Sequence, residues 1–226
     1  MALDGVAIVT LDALGTLVGL DDPYARLRAA LAARGVGVSA EEARSAMRAE
    51  MTYYRAHHDE AVDDAALADL RARCARVLGA ALPPTALDDD ELLAALLEAI
   101  RFTVLPGVEP ALHALRDRGI ARVVVSNWDV SLHGVLRDTG LAPLVDRVIT
   151  SAEAGVAKPD PAVFALALDG ADPAAALHVG DSVEHDVAGA LAAGMRAALV
   201  APDGAPAGLP AGVTVVRRLD GLAWPE

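Results

Sequence analysis

Two hydrophobic rhythms divide the chain. Between residues 23 and 102 apolar positions recur at helical spacing. "PYARLRAALAARG" (23–35) has Pro23 where a first helical turn accepts it and Gly35 where a helix stops. Ser39, followed by Glu41 and Glu42, opens a second helix to about Ala56. "VDDAALADLRARCARVLGAAL" (62–82) and "DDDELLAALLEAIRF" (88–102) predict a third and a fourth, started by acidic residues that complement the helix dipole. Four helices with short connections predict a small bundle.

From Pro106 onward the rhythm changes. Helix "VEPALHALRDRG" leads to strand "ARVVVSN", helix "VSLHGVLRDTG" to strand "DRVIT", helix "PAVFALALDG" to strand "AALHVGD", and helix "VAGALAAG" to strand "RAALVA". Short continuous apolar strands alternating with helices predict a parallel sheet covered on both faces. The opening "GVAIVTLD" has the same character and stands apart from the other strands. The fold class is therefore α/β, a Rossmann-like core of residues 1–18 and 103–226 interrupted by a helical insertion of residues 19–102. "VGLDD" and "FTVLPG" are the expected hinge strands, and a Pro- and Gly-rich loop (201–212) precedes a last strand, "VTVV".

Composition narrows the function. At 226 residues and 54% hydrophobic, the chain can bury a large core. A formal charge of −13 without a Lys or Arg block gives no footprint for nucleic acid or anionic lipid. No apolar run reaches the ~18 residues of a membrane helix and the N-terminus has no basic leader, so a cytoplasmic location is expected. The single Cys74 excludes an internal disulfide and reads as a buried filler.

In an open parallel sheet, ligands bind beyond the carboxyl ends of the strands. Here those ends carry, in turn, Asp12, Ser126 with Asn127, a following Lys158, and Asp181 with Ser182. Two carboxylates, Asp12 and Asp181, suit one Mg2+ with ligand positions left for a substrate phosphate. Ser126, with Asn127 beside it, suits phosphoryl oxygens, and Lys158 suits the charge of a transferred group. Asp12 is placed to attack and form an aspartyl-phosphate. Asp186, five residues after Asp181, fits a supporting role toward Lys158 or the metal's waters.

These segments carry a resemblance. "DALGT", "VVVSN", "KPDPAVF" and "HVGDSVEHD" resemble, in order and spacing, the four motifs of the haloacid dehalogenase-like (HAD) hydrolase superfamily, and the insertion resembles its α-helical cap. The resemblance implies Asp12 as nucleophile, Thr16 as its helper, Ser126 as phosphate ligand and Lys158 as charge partner. It implies Asp12, Asp181 and the backbone carbonyl of Leu14 as Mg2+ ligands. The "SNWD" form of the second motif is similar to that of a phosphoglycolate phosphatase-like branch, and Trp128, directly after the Ser126 strand end, is a candidate substrate contact.

One departure stands out. Phosphatases of the superfamily place a second Asp two residues after the nucleophile, as general acid and base, and here that position is Leu14. Losing such a group costs about 10² to 10⁴ in rate. Three functions are compatible. The first is Mg2+-dependent hydrolysis of a small phosphorylated metabolite, weak or restricted to good leaving groups. The second is a catalytically attenuated binding or regulatory protein. The third is metal-independent carbon–halogen hydrolysis, whose enzymes in the superfamily also lack the second Asp, although Asp181 argues against it.

In the insertion, "MTYYRAHHDEA" (51–61) gathers aromatics and His. Arg55 or His57 has two readings, as a group reaching substrate or as part of a solvated helix face over a Tyr53 and Tyr54 core. His178, inside a strand, reads as core, His185 as exposed, and the run Asp88–Glu91 as a helix start.

Overall fold

The computed structural model describes residues 4–222. The chain divides into two compact units, Met1–Gly19 with Val104–Glu226, and Leu20–Thr103. The outermost residues assigned to the core, 1–3 and 223–226, lie outside the described residues.

The first unit is α/β. Its strands are β1 (Ile8–Leu11), β4 (Ala121–Ser126), β5 (Arg147–Thr150), β6 (Ala176–Gly180), β7 (Arg196–Val200) and β8 (Thr214–Val216). They form a six-stranded sheet in the order β5-β4-β1-β6-β7-β8, with every described pairing parallel. The central strands are buried along nearly their whole length, which explains their predominantly apolar character. On one side Val123, Val125, Phe164, Val187, Ala190 and Leu199 pack into a single cluster. Each large apolar side chain fully removed from water there contributes about 1.5–3 kcal/mol. The chain runs from β1 outward through β4 to β5, then returns to β6 on the other side of β1. The order reverses at β1, and this opens the crevice at the carboxyl ends of β4, β1 and β6.

The helices of this unit are α5 (Val108–Asp117), α6 (Leu132–Asp138), α7 (Ser151–Ala154), α8 (Pro161–Leu168) and α9 (Gly189–Ala192). The single helix expected over 187–194 begins earlier, as one π-helical turn over Val183–Ala188 ahead of α9. Ser182 caps this turn by accepting from His185 N, and Asp186 faces inward from it, 1% exposed. The short α7 was not expected. Thr150 caps it by accepting from Glu153 N, and Gly155, at φ +66°, ends it.

The second unit contains α1 (Pro23–Ala33), α2 (Ala40–His57), α3 (Asp64–Ala81) and α4 (Asp89–Ala99). Helix α1 packs on α2 and α4, and α3 packs on the same two. Ser39 with Glu42 and Asp88 with Glu91 form reciprocal capping boxes, each cap worth about 0.5–2 kcal/mol. Asp88–Glu91 is thus a helix start, as the sequence implied. The fourth helix stops at Ala99 instead of reaching residue 102. Arg101 O instead accepts from Asp21 N, and Phe102 enters β3 (Phe102–Val104), which pairs with β2 (Val18–Leu20). These two short strands occupy the expected hinge segments.

Candidate active site

Strand β1 delivers Asp12 one residue past its end, where Asp12 N donates to Val179 O of β6. The side chain is 7% exposed, and its Oδ1 accepts from Ser126 Oγ at 3.0 Å and from Lys158 Nζ at 2.6 Å. Among the described residues nothing donates to Asp12 Oδ2. One oxygen is thus held by two donors, and the other is left for a ligand.

Ser126 is the last residue of β4, and Asn127 follows it. The Asn127 amide is committed to the main chain of Lys158: Nδ2 donates to Lys158 O at 2.8 Å and Oδ1 accepts from Lys158 N at 2.7 Å. That pair of bonds fixes the loop carrying Lys158, a residue with no secondary structure of its own. Lys158 is 4% exposed and joins Asp12 to Asp186 Oδ1, at 2.5 Å from the latter. Burial works against the ammonium, but the charges of Asp12 and Asp186 outweigh it and raise its pKa above the ordinary lysine value.

Asp181 follows β6, and its carboxylate lies at the open side of the site. Burial on its inner side, then the negative charges of Asp12 and Asp186, push its pKa up to about 6. Gly15, at φ +83°, passes so close that a Cβ there would sit 2.1 Å from Asp181 Oδ2. Only glycine allows both this backbone angle and this approach. Oxygens of Asp12, Asp181 and Asp186 can all lie within 4.8 Å of one another. An all-oxygen, anionic donor set of this size suits a hard divalent cation such as Mg2+. Asp186 is already well supplied with donors: Oδ1 accepts from Lys158 and from His178 Nε2 at 3.0 Å, and Oδ2 from Ser182 N at 2.8 Å. Burial alone would raise its pKa, but the His178 hydrogen bond and the Lys158 charge hold it well below the usual carboxylate range.

Thr16 is 2% exposed, and its Oγ1 finds no hydrogen-bond partner among the described residues. Leaving a buried hydroxyl unpaired costs about 1–3 kcal/mol, so Oγ1 is open to a further partner. Leu14 is 38% exposed on the same loop. Trp128 is buried, its indole N–H donating to Ser131 Oγ. In the helical unit, Arg55 is exposed, and His57 stacks on Tyr53 while its Nδ1 donates to Tyr53 O. His178 is 0% exposed, as a core residue should be, but both its nitrogens are engaged, a feature the sequence reading missed.

A family model described as haloacid dehalogenase-like hydrolase matches residues 6–194. The chain belongs to the haloacid dehalogenase-like hydrolase family. It is 46% identical over 102 residues to haloacid dehalogenase-like hydrolase domain-containing protein 3 of Bos taurus, covering 44% of this chain and 41% of that protein. The match therefore spans about two fifths of that curated relative's length. Among solved structures, a HAD phosphatase from Thermococcus onnurineus is 26% identical with TM-score 0.64, covering 95% of this chain and 94% of that one. A 2-haloacid dehalogenase from Pseudomonas syringae pv. Tomato DC3000 is also 26% identical with TM-score 0.64, covering 96% of each chain. Overall likeness to these two does not choose between phosphoryl and carbon–halogen chemistry, so that choice rests on the site. No described helix is long and apolar enough to cross a membrane.

Proposed function

We propose that this HAD-like hydrolase is a Mg2+-dependent phosphohydrolase acting on a small phosphorylated metabolite whose leaving group needs little protonation. The observation that carries the reading is the clustering of Asp12, Asp181 and Asp186 around one buried ammonium. Three carboxylates with Lys158 leave an excess of negative charge, which a bound cation offsets and which a halide-releasing reaction does not require. Asp12, Asp181 and the carbonyl of Leu14 would hold the Mg2+, which when bound supplies charge neutralisation to the phosphoryl oxygens.

Asp12 attacks phosphorus through its free oxygen. A bond forms from Asp12 to phosphorus, the bond to the leaving oxygen breaks, and the leaving group departs with the electron pair. Lys158, held on Asp12 Oδ1, balances charge, and Ser126 donates to the same oxygen, which leaves Oδ2 to attack. Thr16 Oγ1 offers a hydroxyl to the bound phosphoryl group. Asn127 positions Lys158 through its main chain. Water then cleaves the aspartyl-phosphate, releasing phosphate and restoring Asp12. Leu14 takes no part in proton transfer, which favours aryl and acyl phosphates over alkyl ones. The helical unit serves as the cap that selects substrate, with Arg55 and His57 as its candidate contacts.

The test is hydrolysis of p-nitrophenyl phosphate with and without Mg2+, in wild type and Asp12→Asn. Turnover that needs both the metal and Asp12 is expected. Metal-free release of halide from a 2-haloacid by the wild type would select dehalogenation instead. Inertness of the wild type on both would select the attenuated binding protein.

A further inference from the structure

Two polar residues interrupt otherwise apolar central strands: Thr10 in β1 and His178 in β6, both 0% exposed. They are direct partners in the parallel register of the two strands. Thr10 Oγ1 lies 2.8 Å from His178 Nδ1, and His178 Nε2 lies 3.0 Å from Asp186 Oδ1. Buried polar groups persist where their hydrogen bonds are made, and here every link is made. The direction of the links follows from the donors. Asp186 is ionised beside Lys158 and only accepts, so Nε2 of His178 carries the proton. A second buried cation beside Lys158 would be costly, so the ring is neutral, Nδ1 accepts, and the Thr10 hydroxyl donates. The Phe164 ring and the imidazole pack in a T-shaped contact, centroids 4.9 Å apart, which restricts the plane of the imidazole. On its other side Asp186 is held by Ser182 N, and Gly180 leaves it room, since a Cβ there would lie 2.1 Å from Asp186 Cγ.

We infer that the Thr10–His178 pair is a positioning device that orients Asp186, and through Asp186 holds the Lys158 ammonium against Asp12. The inference rests on the phosphohydrolase reading for its effect on rate, and on geometry alone for its effect on Lys158. His178 is a positioning residue, since it touches neither substrate nor the reacting atoms.

The experiment compares wild type, Thr10→Val, His178→Gln and His178→Leu. Glutamine can present an amide N–H where Nε2 lies, and leucine cannot. With p-nitrophenyl phosphate and Mg2+, His178→Leu should lower kcat about 10- to 100-fold with KM changed less than about twofold. Thr10→Val should lower it about 3- to 10-fold, and His178→Gln should recover most of the loss at a melting temperature like that of His178→Leu. Equal losses in the glutamine and leucine variants, or wild-type kcat in His178→Leu, would overturn the inference. Two readouts need no turnover. Nitrogen NMR of the wild-type imidazole should show protonated Nε2 and a bare Nδ1 whose resonance moves in Thr10→Val; a protonated Nδ1 in the neutral ring would overturn the assignment. Crystals of the two His178 variants should show Lys158 Nζ kept on Asp12 with glutamine and displaced with leucine; an unmoved Lys158 in the leucine variant would overturn the device. Should Asp12→Asn retain wild-type turnover, the phosphohydrolase reading fails, and these two readouts still decide the positioning role.

Discussion

Replacing Leu14 by Asp supplies, two residues after Asp12, the proton-transferring group that the proposed phosphohydrolase lacks. Leu14 is 38% exposed, so only part of the roughly 1.5–3 kcal/mol of a fully buried leucine is at stake, about 1–2 kcal/mol. For a chain of this size that is a fall in Tm of about 2–8 °C. The main-chain carbonyl at position 14 is retained, so the proposed Mg2+ site should persist. The next residue, Gly15, abuts Asp181, whose carboxyl is already pushed up to about 6 by burial and by Asp12 and Asp186. A carboxyl introduced beside this cluster meets the same repulsion, its pKa rises, and it keeps the proton that a general acid must give.

The gain expected is about 10² to 10⁴ on an alkyl phosphate, equivalent to about 2.7–5.4 kcal/mol of barrier at 1.36 kcal/mol per tenfold. On p-nitrophenyl phosphate, whose leaving group departs without a proton, the gain should stay below about tenfold. The assay is the ratio of kcat/KM for alkyl over aryl ester, wild type against Leu14→Asp, at saturating Mg2+ and with folding checked by Tm. An unchanged ratio in a folded variant would refute the reasoning, because it would mean that proton transfer to the leaving group is not what Leu14 withholds.

Three further outcomes are expected. Glu50 is 3% exposed on α2; burial raises its pKa above 4.5, opposed in part by a hydrogen bond with Cys74. Its folded pKa exceeds its unfolded one, so its contribution to stability is present below pH 4.5 and lost as pH rises through the folded value. Glu50→Gln should therefore stabilise the protein by about 1–3 kcal/mol at pH 8 and by almost nothing at pH 4, read from urea unfolding at both; an equal effect at both pH values counts against a buried carboxylate. Gly15→Ala places a Cβ 2.1 Å from Asp181 Oδ2 at φ +83°, and titration calorimetry should show Mg2+ affinity lowered at least about tenfold; unchanged affinity would remove Asp181 from the metal site. Asn127→Ala frees the main chain of Lys158 and should lower kcat about 10- to 100-fold with little change in KM; a rise in KM alone would make Asn127 a substrate contact.

The parts of the site visible in the sequence are those written along single strands. Asp12, Ser126 and Asp181 each terminate a predominantly apolar run, and a strand end in a parallel sheet is where the backbone stops shielding a side chain from ligand. Lys158 ends no strand, and it was visible through the family resemblance that "KPDPAVF" carries. What escaped notice depends on register. Thr10 and His178 are 168 residues apart, and only the pairing of β1 with β6 sets one opposite the other. A signal was nonetheless present: a hydroxyl inside "AIVTL" and an imidazole inside "ALHVG" are polar atoms in strands too apolar to be half exposed, and each requires a partner. Glu50 belongs to the same class, since Ala43, Ala46, Met47 and Glu50 share the buried stripe of α2 and one of the four is a carboxyl. The π-turn over Val183–Ala188 left no such trace, because one extra residue per turn cannot be distinguished by composition in "VEHDVAGALAAG". Periodicity thus finds the carboxylates that face the ligand, whereas the groups that aim them are found by asking which buried polar atoms still need a bond.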